Sequence, residues 1–297
     1  MADAIPVFDL RDFTASEFIK ACEEWGCFRI VNFESILPVS LMQEMKKVVA
    51  SLLELPLEIK QRNVDAIAGS GYRSPGLINP IHEGLGLYDI ASDQAVDAFC
   101  TQLEATPHQR ETITRYAQAV HELIKDMGRK IGQGLGLNEV PFENWPCQFR
   151  INKYPFTPEN IGSDGLRTHT DNGFLTVVQD DEQFAGLEVM QKSGNFVPVD
   201  PSPGTLLVNF GDIATVWSNG RFYNVKHKVV CKEEGIRISI ATFLLGPKEA
   251  MVEAPPELVT LENPRLYVPF KFEDFRNTRV FKHLNAGEAL DHFLLKP

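Results

Sequence analysis

Short apolar runs alternate with turn residues at intervals of about ten positions through the second half of this chain: 148–154, 174–179, 187–191, 196–200, 205–210, 224–231 and 237–245. Runs this short are strands rather than helices. At this spacing they close on one another as an antiparallel sandwich or barrel of jelly-roll type. The expected fold is therefore mainly β, with a double-stranded β-helix core.

The first 140 residues are mostly of another kind. Thr14 with Glu17 three positions on is a capping box, and Gly26 suits the end of the helix it opens. Cys27-Phe-Arg-Ile-Val31 reads as a strand. Leu41, Met42, Met45, Val48, Val49, Leu52 and Leu53 recur at helical spacing until Pro56. Residues 68–80 are a loop by their Gly, Ser and Pro content. A long helix opens near Pro107, with Ile113, Tyr116, Val120, Leu123, Ile124, Met127 and Ile131 in one stripe. Gly132, Gly134 and Gly136 follow no strand, so they mark a helix end and not a phosphate cradle. Helical signals return after about residue 270. The expectation is a helical supporting region over 1–140 and a β-region over 141–297, packed as one globular unit with a short helical tail.

Charge narrows the range of partners. A net charge of −11 speaks against nonspecific nucleic-acid binding and against docking on anionic membranes. The five cysteines are odd in number and contain no CxxC pair, which favours reduced thiols in the cytosol. The N-terminus has no basic head followed by an apolar stretch, and no run reaches the ~20 apolar residues a membrane helix needs. A cytoplasmic protein acting on a small molecule is expected.

One constellation carries chemistry. His169 and Asp171 are two apart in an extended segment, so both side chains point one way. His227 lies in a second strand-like run, Asn224-Val-Lys-His-Lys-Val-Val230. Two imidazoles and a carboxylate can cap one face of an iron(II) ion and leave the remaining positions open. His82, His108, His121, His283 and His292 lie in loops, on the long helix or in the tail, and read as surface or cap histidines.

Arg237 and Ser239 form another i, i+2 pair, within the otherwise apolar strand Ile-Ser-Ile-Ala-Thr-Phe-Leu-Leu. A guanidinium is costly to bury there unless an anion pairs with it. A dicarboxylate whose far end meets Arg237 and Ser239, and whose near end is a 2-oxo acid on the metal, meets that need. Arg150, Asn152 and Tyr154 share a face in the same way. Tyr154 is expected to donate its hydroxyl to the same cosubstrate, with Asn152 in support.

These residues resemble a known family. His-Thr-Asp, then His, then Arg-x-Ser, with Asn152-Lys-Tyr-Pro155 upstream and Trp25-Gly-Cys-Phe28 near the start, is similar to the plant 2-oxoglutarate- and iron(II)-dependent dioxygenases along nearly the whole chain. The resemblance is nearest to the auxin-oxidising branch. It is carried by Gly69-Ser-Gly-Tyr72, Trp145-Pro-Cys-Gln-Phe-Arg150, His169-Thr-Asp-Asn-Gly-Phe-Leu-Thr176, Trp217-Ser-Asn-Gly-Arg221, Asn224-Val-Lys-His227 and Phe243-Leu-Leu-Gly-Pro247. The chain departs from the pattern at Asn32-Phe-Glu34, Asn172 and Ala185-Gly-Leu-Glu188. None of these touches the three metal-type residues or Arg237.

The resemblance implies an enzyme that holds iron(II) on His169, Asp171 and His227. It implies 2-oxoglutarate and dioxygen as cosubstrates, with ascorbate in a supporting role. Indole-3-acetic acid would become 2-oxindole-3-acetic acid, with succinate and carbon dioxide as coproducts. Tyr72, Phe174, Met190 and Trp217 are candidates for the substrate wall, and Arg73 or Arg167 for a cation at its mouth. Three other readings use the same residues: a hydroxylase or desaturase of another alkaloid, phenolic or hormone, a zinc hydrolase, and a binding protein on an inactive scaffold. A zinc hydrolase has no need of Arg237-x-Ser239.

Overall fold

The computed structural model describes residues 4–77 and 79–295. The N-terminal part runs β1 (Val7–Asp9), α1 (Ala15–Glu24), β2 (Cys27–Val31), α2 (Val39–Leu53), a single turn α3 (Leu57–Lys60), β3 (Glu83–Tyr88), α4 (Asp93–Gln102) and α5 (Pro107–Gly134). It continues through β4 (Cys147–Phe156), β5 (Asp164–His169), β6 (Leu175–Gln179), β7 (Leu187–Met190), β8 (Phe196–Pro198), β9 (Leu206–Phe210), α6 (Asp212–Trp217), β10 (His227–Val230) and β11 (Gly235–Leu244). The pair β12 (Met251–Val252) and β13 (Phe270–Lys271) then leads into α7 (Phe272–Phe281).

The helix starts follow local chemistry. The Thr14 hydroxyl accepts from the Glu17 amide, and Gly26 turns the chain out of α1 at φ +62°. Thr106 and Gln109 make a reciprocal capping box before Pro107, which needs no amide partner in the first turn. All seven residues of the expected α5 stripe are buried.

Two sheets form the core. The larger has the order β1-β2-β9-β6-β11-β4-β3, and the smaller β5-β10-β7-β8. Strands from before residue 140 thus occupy both flanks of the larger sheet. Of these, only β2 has a clear strand signal in the sequence. In β3 (Glu83-Gly-Leu-Gly-Leu-Tyr88) alternate positions are glycines, so the usual β-branched signal is missing although the pleat is intact. β5 (Asp-Gly-Leu-Arg-Thr-His) is similarly poor in β-formers and falls outside the expected strand runs.

Period-two alternation separates two cores. On β4, Phe149 and Ile151 face the layer built by α2 and α5, whereas Arg150, Asn152 and Tyr154 face the space between the sheets. Gln179 ties the layers together: its Oε1 accepts from the Tyr116 hydroxyl on α5 and its Nε2 donates to the Met42 carbonyl on α2. No described helix is long and apolar enough to cross a membrane. All five cysteines are free and buried.

Candidate active site

A cavity of about 310 Å³ lies between the two sheets, a size suited to small molecules. His169, Asp171 and His227 line it together, and one ligand-type atom from each lies within 4.8 Å of the others. The antiparallel β5–β10 pairing creates the meeting, because it sets His227 directly opposite His169. Asp171 lies just past the end of β5, with Oδ1 3.8 Å from Nε2 of His169 and 3.6 Å from Nε2 of His227.

The surroundings aim these atoms. Nδ1 of His169 lies 2.8 Å from the Arg167 carbonyl, and Nδ1 of His227 lies 3.1 Å from the Val225 carbonyl. A carbonyl can only accept, so Nδ1 carries the proton in each ring and Nε2 presents its lone pair. Asp171 Oδ2 accepts from Thr176 Oγ1 at 2.5 Å and from Asn209 Nδ2 at 2.7 Å, which turns Oδ1 toward the imidazoles. Burial and the neighbouring His227 hold His169 neutral, well below the usual imidazole range. Burial alone would raise the Asp171 carboxyl, but His227, His169 and its two hydrogen bonds outweigh it and keep it ionised. Two imidazole nitrogens and a carboxylate, all aimed at one point, fit an iron(II) ion.

Thr170, between two of these residues, is anchored from the far end of the chain. Arg279 on α7 donates to the Thr170 carbonyl, to Thr170 Oγ1 and to Asp212 Oδ2. Asp212 Oδ1 accepts from Thr170 Oγ1 at 2.9 Å and from Asn224 Nδ2 at 2.5 Å. Arg279→Ala would strand the buried Asp212 carboxylate, so unfolding in denaturant should show a loss of about 3–5 kcal/mol. Arg279→Lys keeps the charge but not the planar fork and should recover only part of it.

The second cluster lies on β4 and β11, whose register places Arg237 opposite Tyr154 and Ser239 opposite Asn152. All four line the cavity. Arg237 is 2 % exposed. Its Nη2 pairs with Asp180, but Nε and Nη1 are buried without an acceptor among the described residues. The guanidinium lies over the Tyr154 ring, 5.3 Å from its centroid. Orphaned donors of this kind are expensive in an empty site and fit an incoming carboxylate.

Other expectations need correction. His82, expected at the surface, is buried on the cavity wall. It stacks on Tyr154 at 5.1 Å between centroids, and its Nε2 shares a hydrogen bond of 3.0 Å with Asn152 Oδ1. Asn152 is therefore engaged with His82. Burial pushes the His82 pKa down to about 4, so between there and its ordinary value near 6.5 the unfolded chain binds the extra proton. Stability should fall as pH drops through that window, by an amount on the order of 3 kcal/mol. Urea unfolding of His82→Gln should lack this component of the pH profile, and an unchanged profile would show that His82 titrates freely.

None of the four wall candidates lies on the cavity. Phe174 and Trp217 pack with Phe142 in an aromatic cluster, at 4.4 Å for Phe142–Phe174 and 5.3 Å for Phe174–Trp217. Tyr72 turns its hydroxyl to Glu83 at 2.8 Å. Met190 ends β7, where its carbonyl accepts from Tyr223. Of the expected cations, Arg73 pairs with Asp65 at 3.0 Å, and Arg167 is exposed. The cavity itself is lined by Thr176, Val178, Leu187, Val189, Ala241 and Phe243, with Arg150 and Arg276 among its cations. Strand alternation carried this information: Gln148, Arg150, Asn152 and Tyr154 share one face of β4, and Arg237, Ser239, Ala241 and Phe243 one face of β11.

Comparison with known proteins bears on this geometry. The 2OG-Fe(II) oxygenase superfamily matches residues 145–246, and the N-terminal family named for a non-haem dioxygenase in morphine synthesis matches residues 5–82. The chain is 50% identical over 294 residues to the 2-oxoglutarate-dependent dioxygenase DAO of Oryza sativa subsp. indica, covering 96% of this chain and 97% of that one. The crystal structure of the rice dioxygenase for auxin oxidation superposes with a TM-score of 0.90 at 46% identity, over 98% of this chain and 100% of the other. Dioxygenase for auxin oxidation 1 from Arabidopsis thaliana, as its 2-oxoglutarate binary complex, superposes with a TM-score of 0.84 at 52% identity, over 88% of this chain and 100% of the other.

Proposed function

The chain belongs to the 2OG-Fe(II) oxygenase superfamily and is a 2-oxoglutarate-dependent dioxygenase; from that premise we propose that it oxidises indole-3-acetic acid to 2-oxindole-3-acetic acid. The observation that carries the substrate assignment is the half identity, across almost the full length of both chains, to an enzyme described as acting in auxin oxidation.

Bound iron(II) supplies dioxygen activation, with 2-oxoglutarate decarboxylated to succinate and carbon dioxide. The protein's own residues supply position and dryness. His169 and His227 offer Nε2, and Asp171 offers Oδ1. The Thr176 and Asn209 hydrogen bonds hold that carboxylate in one orientation. Arg237, with Ser239 and the Tyr154 hydroxyl beside it, takes the distal carboxylate of 2-oxoglutarate. Apolar residues from both sheets, Val178, Leu187, Val189 and Leu207 among them, exclude water from the reacting centre.

The test is purified protein with iron(II), ascorbate, 2-oxoglutarate and indole-3-acetic acid. Mass spectrometry should find a product heavier by one oxygen, formed in step with succinate. The same chemistry on a different acid is the second reading. It is supported by a relative at 25% identity and TM-score 0.85 that was crystallised with 2OG, Fe and JA, a ligand other than indole-3-acetic acid. Succinate release with another acid, and none with indole-3-acetic acid, would select it.

A further inference from the structure

The cavity has a second cationic end. On β4 the side chains of Arg150 and Tyr154 face the same space four residues apart, a separation of about 13 Å along a strand. A five-carbon diacid held at the Arg237 and Tyr154 end does not span that distance. Whatever meets Arg150 is therefore a different molecule.

Arg150 sits in a built recess. Its guanidinium lies against β3 at the two positions where that strand carries glycine. A Cβ on Gly84 would come 3.0 Å from Nη2, and one on Gly86 would come 2.7 Å from Nη1 and 1.8 Å from the Ser70 carbonyl. Nη1 donates to the Gly71 carbonyl at 2.5 Å and to the Gly69 carbonyl at 3.4 Å. Asp65 shapes that loop by accepting from the Gly69 and Gly71 amides, and its charge is taken up by Arg73. No described carboxylate pairs with Arg150, and no described group accepts from its Nε or Nη2. Burial, and Arg73 nearby, pull its pKa down to about 10, the direction expected of a cation lacking a counter-ion.

Arg276 reaches the cavity from α7 and donates through Nη2 to the Ala68 carbonyl of the same loop. Its Nη1 is buried with no partner, and the side chain has no acidic neighbour within salt-bridge distance among the described residues. Two guanidiniums on one loop, both short of an acceptor, make an anion site.

We infer that Arg150, seconded by Arg276, anchors the carboxylate of the prime substrate at the end of the cavity opposite the 2-oxoglutarate arginine. The assignment rests on the oxygenase reading above, and it defines the substrate class as a compact carboxylic acid whose charge is read by a planar fork. The remainder of the molecule then extends toward the metal-binding residues between Val178, Val189 and Phe243.

The experiment measures calorimetric binding of indole-3-acetate and of its neutral isostere indole-3-acetamide. The protein is loaded anaerobically with iron(II) and 2-oxoglutarate, as wild type and as Arg150→Gln, Arg150→Lys and Arg276→Gln, with thermal melting to verify folding. Wild type should prefer the acid. Arg150→Gln should weaken acid binding about 100-fold, the scale for losing one partner of a buried charge pair. It should bring acid and amide level while leaving 2-oxoglutarate affinity near wild type. Arg150→Lys, the variant to use if the glutamine form does not fold, keeps a point charge and should lose less. Arg276→Gln should lose less again.

The inference is overturned if Arg150→Gln retains the preference for acid over amide, if it weakens 2-oxoglutarate instead, or if wild type binds the amide as well as the acid. If wild type ignores indole-3-acetate but binds another aromatic or alicyclic acid in an Arg150-dependent way, the anchor stands and the auxin assignment fails.

Discussion

Asp171→Ala is expected to abolish iron retention and turnover while leaving a barrel that unfolds cooperatively. The carboxylate is the only anionic group of the three, and its Oδ1 lies within 4 Å of both imidazole Nε2 atoms. Loss of an outer partner such as the Thr176 hydroxyl should cost about 10–100-fold in metal affinity. Loss of the ligand itself should exceed that, because two imidazoles alone do not close a facial site. His227→Ala should behave alike, and with less disturbance, since no described side chain depends on His227 for a hydrogen bond. Asp171→Ala also leaves Thr176 Oγ1 and Asn209 Nδ2 without their acceptor, so a stability loss of about 1–3 kcal/mol should accompany it. Iron content by elemental analysis, with circular dichroism on the same samples, separates loss of the centre from loss of the fold. Normal turnover in either variant would remove these residues from the metal site.

Arg237→Gln should raise the 2-oxoglutarate requirement by about 100-fold and leave the requirement for the prime substrate little changed. Removing one partner of a buried, hydrogen-bonded charge pair typically costs about 2–5 kcal/mol, which spans that factor. Stability should fall as well, because Asp180 loses its partner in a site that is 2 % exposed at Arg237. Steady-state kinetics with each cosubstrate varied in turn is the check. A rise confined to the prime substrate would transfer Arg237 from the cosubstrate to the substrate.

The sequence is most legible where side-chain periodicity has one cause. The α5 stripe, its start near Pro107 and the capped start of α1 each follow from a local rule, and the structure keeps them. The i, i+2 spacings of His169 with Asp171 and of Arg237 with Ser239 place each pair on the cavity for the same reason. Legibility fails where a strand carries glycine for space and not for a turn. Gly84 and Gly86 make room for Arg150, and that packing demand removes the signal of β3. The substrate wall is obscured for a different reason. Aromatic residues near the motifs are the natural candidates for lining, but Phe174 and Trp217 are needed to pack against Phe142. Smaller aliphatic residues on the inward faces are left to bound the space. Arg150 has the right spacing for the cavity in the sequence itself. What the sequence lacks is any sign that no described carboxylate forms an ion pair with Arg150.

The bracing of Thr170 by Arg279 has a temporal side. The guanidinium stands 109 residues beyond the threonine it holds. A ribosome that has released β11 has already delivered His169, Asp171 and His227, yet the turn joining the first two still lacks its keystone. The turn gains this brace only once α7 has emerged and docked. By the same logic, cleavage ahead of Arg279 would remove that brace without a cut near His169, Asp171 or His227.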